Sequence, residues 1–137
     1  MATALRLTDF LVREAYVVAS GDTATKGEAV LLDSDTTIDD CDGVSDLAIG
    51  VALEAGTPGD VVEVGLFGWG IVPVIVGTNG ATRGMKAQLE GDGFTDAGTH
   101  DSDGGVANQS TYGIFLQSGT AGQFVGLLLA GAGNRGT

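Results

Sequence analysis

The chain offers little for nucleophilic chemistry: one histidine, His100, and one cysteine, Cys41. A thiolate nucleophile needs a nearby base and a third group that orients the base. His100 sits in a polar stretch beside Asp101 and Asp103, and Cys41 falls in an equivalent stretch of the first half. No nucleophile elbow or helix cap surrounds either residue, which favours a solvated histidine and a small buried thiol. The carboxylates are more suggestive. Asp33, Asp35, Asp39, Asp40 and Asp42 cluster in one stretch, and Asp92, Asp96, Asp101 and Asp103 in another. Calcium wants several such oxygens converging on one point. The spacing does not match a calcium-binding loop with its distal glutamate, so solvated acidic loops are expected. A glycosidase pair drawn from Glu54, Glu63 and Glu90 also fails. Gln117 and Gly126 stand where a second copy would need Glu54 and Glu63. Neither a phosphate-binding Gly-rich loop nor a G-x-S-x-G elbow is present. No catalytic residue, metal ligand or cofactor is assigned, and a non-enzymatic protein is expected. A small hydrolase using Asp39 or Asp101 stands as the alternative.

The elements that position these residues follow from composition and pattern. The 137 residues are one domain's worth of chain, 43% hydrophobic, with 24 glycines and 2 prolines. Glycines spread between short apolar runs indicate short strands and tight turns. The net charge of −12 repels phosphate backbones and anionic membranes, so neither nucleic acid nor a membrane is expected as a partner. Such a charge serves solubility, or adaptation to a saline or high-GC host. One cysteine allows no internal disulfide. Asp9, Arg13 and Glu14 interrupt the apolar start, so no secretory leader is expected, and the runs Ile71–Val76 and Phe124–Ala130 are too short to span a bilayer.

The most informative feature is an internal duplication. Residues 49–62 (IGVALEAGTPGDVV) align without a gap to residues 112–125 (YGIFLQSGTAGQFV) at an offset of 63. Upstream, Ala24-Thr25-Lys26-Gly27 matches Ala81-Thr82-Arg83-Gly84 at an offset of 57, so the second copy carries six extra residues in its Asp96–Ser110 loop. Each copy reads as a turn, a short strand (Glu28–Leu32; Met85–Leu89), an acidic loop, a strand around Gly-Val/Ile-x-Leu, a Gly-Thr-x-Gly turn and a third strand (Val61–Phe67; Gln123–Ala130). Val62, Val64 and Leu66 alternate with Glu63, Gly65 and Phe67, the period of a half-buried strand. Gly56 and Gly119 are expected to supply positive φ at tight turns, and Gly27 and Gly84 to end others. Pro73 inside an apolar run argues for an edge strand or a bulge. With Glu14–Ala19 and Gly70–Val76 the count reaches about eight strands, which suits an all-β compact barrel or sandwich. The domain reading is a single β domain over residues 14–131, with repeat one about 17–68 and repeat two about 74–131. Residues 1–13 read as an N-terminal arm, where Leu7, Phe10, Leu11 and Glu14 have helical spacing. Residues 132–137 read as a flexible tail. Leu127-Leu128-Leu129 points apolar side chains to both faces of a strand, as expected where a second subunit covers one of them. Trp69, joining the copies, suits either core packing or an interface.

Together these segments resemble a known family. Gly27-Glu28-Ala29-Val30, Gly50-Val51-Ala52-Leu53, Gly56–Val64, Gly68-Trp69-Gly70-Ile71-Val72-Pro73-Val74 and the Ala81–Gly84 turn are similar to the small capsid decoration (cement) proteins of tailed phages. The resemblance covers roughly residues 14–131 and rests on turn-and-strand patterns. It implies a compact β fold outside an HK97-type shell, bound to the major capsid protein, with the chain itself as partner in a homotrimer. It also implies synthesis in the host cytoplasm, localisation to the virion exterior, and no catalytic residues. A faint likeness of Thr37-Ile38-Asp39-Asp40 to a motif of small trimeric dUTP pyrophosphatases lacks their basic phosphate-gripping segments. Other open readings are a tail, fibre or head-completion component, or a carbohydrate- or peptide-binding module using Trp69 and Tyr112 as platforms.

Overall fold

The computed structural model describes residues 11–41, 48–68, 70–90, 93–97 and 111–129. The first five strands are β1 (Arg13–Val18), β2 (Ala29–Leu32), β3 (Thr37–Asp40), β4 (Ala48–Ala52) and β5 (Val61–Leu66). They close into a barrel in the order β1-β3-β2-β4-β5, with β1 pairing antiparallel to β5 from Arg13↔Gly65 to Val17↔Val61. The next five are β6 (Ile71–Ile75), β7 (Lys86–Glu90), β8 (Gly93–Asp96), β9 (Thr111–Phe115) and β10 (Phe124–Leu129). They form a sheet in the order β6-β10-β9-β7-β8. Read around the ring, the two orders are the same. Parallel pairing of β1 with β3 at Val17↔Thr37 and Val18↔Ile38 has one counterpart among the described residues of the second unit, the bridge Val76↔Phe94.

The same backbone hydrogen bonds recur in both units. Val18 N–H donates to Asp60 O and Val76 N–H to Gln123 O, each at 2.8 Å. Gly27 N–H donates to Ala52 O at 2.9 Å and Gly84 N–H to Phe115 O at 2.8 Å. The interiors correspond as well. Val18, Val30, Ile38, Ala52, Val62 and Val64 fill the first barrel; Val76, Ala87, Phe94, Phe115, Val125 and Leu127 take their places in the second. Ile38 and Ala52 become phenylalanines where Val30 becomes alanine, a partial exchange of volume of the kind a packed interior tolerates.

The units differ at one seam. Val17 N–H donates to Thr36 O at 3.1 Å and helps close the first barrel. Its counterpart, Ile75 N–H, donates instead to Gly27 O of the first barrel, at 3.0 Å. The first barrel's outer wall therefore docks where β6 and β8 stand apart. Ala29, Cys41, Ala48 and Val51 belong to the same apolar cluster as the second unit's core. Phe67 stacks on Tyr112 across the junction, centroids 4.6 Å apart. Burying a side chain of Val51's size stabilises by roughly 1.5–3 kcal/mol.

The expectation of a compact all-β barrel or sandwich holds, with one closed barrel beside a second five-stranded sheet and with two differences. Ten strands occur among the described residues, not about eight, because the acidic stretches contain β3 and β8. Each presents a single large apolar residue inward, Ile38 or Phe94, both fully buried. The positive φ of the Gly-Thr-x-Gly turns falls at Gly59 (90°) and Gly122 (85°), not at Gly56 and Gly119. Gly56 is instead small because a Cβ there would lie 2.6 Å from Val62 Cγ1, and at Gly119 2.7 Å from Val125 Cγ1. Gly27 and Gly84 do have positive φ, 88° each. Pro73 lies in β6, an end strand of its sheet. Residues 1–10 of the N-terminal arm lie outside the described residues, while Leu11 packs on the core and Val12 O accepts a hydrogen bond from Leu66 N–H. Trp69 and the 132–137 tail also lie outside.

Candidate functional site

Three of the described carboxylates are bound to the chain's own turns. Asp40, at the end of β3, accepts from Thr25 N–H at 3.1 Å and from the Thr25 hydroxyl at 2.9 Å. Asp96, at the end of β8, repeats this with Thr82 at 2.7 and 2.6 Å. Both threonines belong to the Ala-Thr-Lys/Arg-Gly turns, so each aspartate ties a turn to a strand. Asp60 accepts from Thr57 N–H at 2.8 Å and from its hydroxyl at 3.1 Å. These bonds, the backbone one first, hold the Asp60 carboxyl below its ordinary value. In the second unit Gln123 Oε1 accepts from Thr120 N–H at 2.9 Å. Glu54 accepts from Glu63 N–H at 3.2 Å, and Gln117 from Gly126 N–H at 2.9 Å. An acid and an amide thus do the same work at matching positions, and what that work needs is an acceptor oxygen.

Asp22, Glu28, Asp39, Asp40 and Cys41 line a polar depression on the first barrel. Among the described residues no group of three or more His, Cys, Asp or Glu is placed to hold a metal ion. Cys41 is buried, and its N–H donates to Ala29 O at 2.9 Å. Asp33, Asp35, Glu54 and Glu63 are exposed. Glu90, half-buried, accepts from Asn79 N–H at 3.2 Å and from its side-chain amide. His100, Asp42, Asp92, Asp101 and Asp103 lie outside the described residues. Tyr112 is 2% exposed beneath Phe67, so it offers no face to a sugar or peptide. The side-chain amide of Gln88 is buried without a hydrogen-bond partner, where the first copy has Leu31.

The surface shows more than these clusters do. On the outside of the second unit the register brings Ile71 beside Leu128, Pro73 beside Gly126, and Leu128 beside Ile114. Ile114 is 41% exposed and Leu116 38%. At the matching place on the first barrel stand Arg13 and Glu63, an exposed ion pair at 3.5 Å. The second unit therefore presents an apolar outer face over β6, β10 and β9, and the first a charged one. Sequence reasoning touched this face only through Leu127-Leu128-Leu129. Its signal was available in the outward positions of three strands, but only once their order was known. The arrangement suits binding between macromolecules.

No family model and no curated protein matches the chain by sequence. Among solved structures it is similar in fold to the N base of the head fibre gp8.5 of bacteriophage phi29. The TM-score is 0.64 at 13% identity, covering 90% of this chain and 98% of that one.

Proposed function

We propose that the chain is a non-enzymatic structural protein of a tailed-virus particle, bound to the outside of an HK97-type capsid through the major capsid protein and assembled as a homotrimer. The observation that carries this reading is the fold shared with the phi29 head fibre base across nearly all of both chains. Two features of the molecule support it. Carboxylates that bind turns tie the scaffold's turns to its strands, and the apolar outer face of the second unit offers a docking surface. A protein bound across capsid subunits adds binding free energy to the assembled state and raises the cost of separating it. The charge of −12 keeps the particle exterior soluble and keeps the chain off the packaged genome.

Quantitative mass spectrometry of purified particles tests the reading. A copy number of the same order as the major capsid protein is expected. Absence from the particle overturns it, and a handful of copies moves the chain to a tail, fibre or head-completion position.

A further inference from the structure

The duplication makes an internal control for every surface, and one surface differs sharply between the copies. In the first barrel, Gly27, Ala29 and Val51 are buried and Leu53 is half-buried against the shared core. A Cβ on Gly27 would lie 2.5 Å from Phe124 Cε2 and 2.9 Å from Ile75 N, so the second unit sits directly on this wall. The matching residues of the second unit are Gly84, Lys86, Ile114 and Leu116, and all four are exposed. A Cβ on Gly84 would meet nothing within 4 Å. Met85 beside it is 42% exposed. The second unit thus carries the same wall as the first, apolar along β9, with none of the described residues packed against it as the second unit packs on the first.

We infer that this wall, formed by Gly84–Lys86, Ile114 and Leu116, receives the first barrel of a second copy of the chain, in the head-to-tail sense in which the second unit sits on the first. This names the self-association surface of the homotrimer proposed above and rests on that reading. Three observations select a second copy. The equivalent wall is already covered by a five-stranded unit with this same strand order. The surface runs on, through Leu128 and the rest of β10, to Phe124 at the existing junction. Its charges also fit. Arg83 borders the wall and Lys86 lies within it, and neither forms an ion pair among the described residues. On the first barrel, the counterparts of Phe124 and Ile75 are Val61, 63% exposed, and Val17, half-buried. Asp60 precedes Val61 on the approach to β5, and Glu63, paired with Arg13, follows it. Val17 N–H is already bound to Thr36 O, so the contact between copies is made by apolar side chains and these charges, without a copy of the Ile75–Gly27 hydrogen bond. A contact of one surface with a different surface is heterologous and closes into a ring when the rotation permits.

Sedimentation equilibrium on the full chain tests this alongside the variants I114D and L116D, with the thermal transition recorded for each. The native chain is expected to be oligomeric. The variants should drop to monomer, about a threefold fall in mass for a trimer, while keeping a cooperative transition. A second measurement does not depend on disruption. Variants V61C and I114C, each carrying C41A so that the introduced thiol is the only one, are mixed and treated with a short bismaleimide. Cross-linking is expected in the mixture and not in either variant alone. An oligomer that survives both I114D and L116D, cross-linking of I114C with itself, or a monomeric native chain would each overturn the inference. Failure of the broader reading looks different: the head-to-tail contact would form in solution while the chain is missing from purified particles.

Discussion

At the level of single residues, the molecule separates what an acid does from what an acceptor does. Asp60 and Gln123 bind the same turn position in their two copies, yet only Asp60 titrates. Because Thr57 depresses the Asp60 pKa below 3.8, its ionised form stabilises the fold above that pH. The contribution disappears as the pH falls through the lower, folded value. Denaturation of the native chain and of Asp60→Asn followed from pH 7 to pH 2 should therefore show a gap that narrows below pH 3.8. A gap of constant size at every pH would mean that the carboxylate's charge does nothing here. Gln88 presents the opposite case, a buried amide in the position of Leu31 that leaves both polar atoms unpaired. Such a group costs about 1–3 kcal/mol.

Among the elements, β4 and β9 are constrained by close backbone approach. A Cβ on Gly113 would overlap the Leu128 carbonyl of β10, and one on Gly50 the Gly65 carbonyl of β5. Gly113→Ala must push β9 away from β10 or distort the pair, and should lower stability by about 1–3 kcal/mol in urea titration, the range of overpacked sites. A midpoint unchanged from the native chain would show that β9 can shift freely. The repeat made these strands legible in the sequence, since Gly50-Val51 and Gly113-Ile114 hold matching places around apolar runs. It did not reveal β3 and β8. In those strands one large apolar residue, Ile38 or Phe94, stands among polar ones, and Asp40 and Asp96 read as solvated acids. Their true partners, Thr25 and Thr82, lie 15 and 14 residues away, beyond any local pattern. The glycine that carries positive φ in the Gly-Thr-x-Gly turn was misplaced for a related reason. Both glycines of the motif are required, one for backbone conformation and one for room beside Val62 or Val125.

For the molecule as a whole, what matters is that its halves are alike in topology and unlike in self-sufficiency. The first half closes its own ring of strands, whereas the second leaves Ile75 N–H to be met by Gly27. Expressed alone, residues 1–68 should give dispersed β signals in NMR, while residues 70–137 should precipitate or remain unstructured. A well-dispersed spectrum from the second fragment would contradict this. The asymmetry also gives synthesis a direction. The half that needs no help leaves the ribosome first, and the one with an unfilled strand edge emerges to find its complement already folded and tethered beside it. An open edge is a template for aggregation with strangers, and this order leaves it bare for the shortest time.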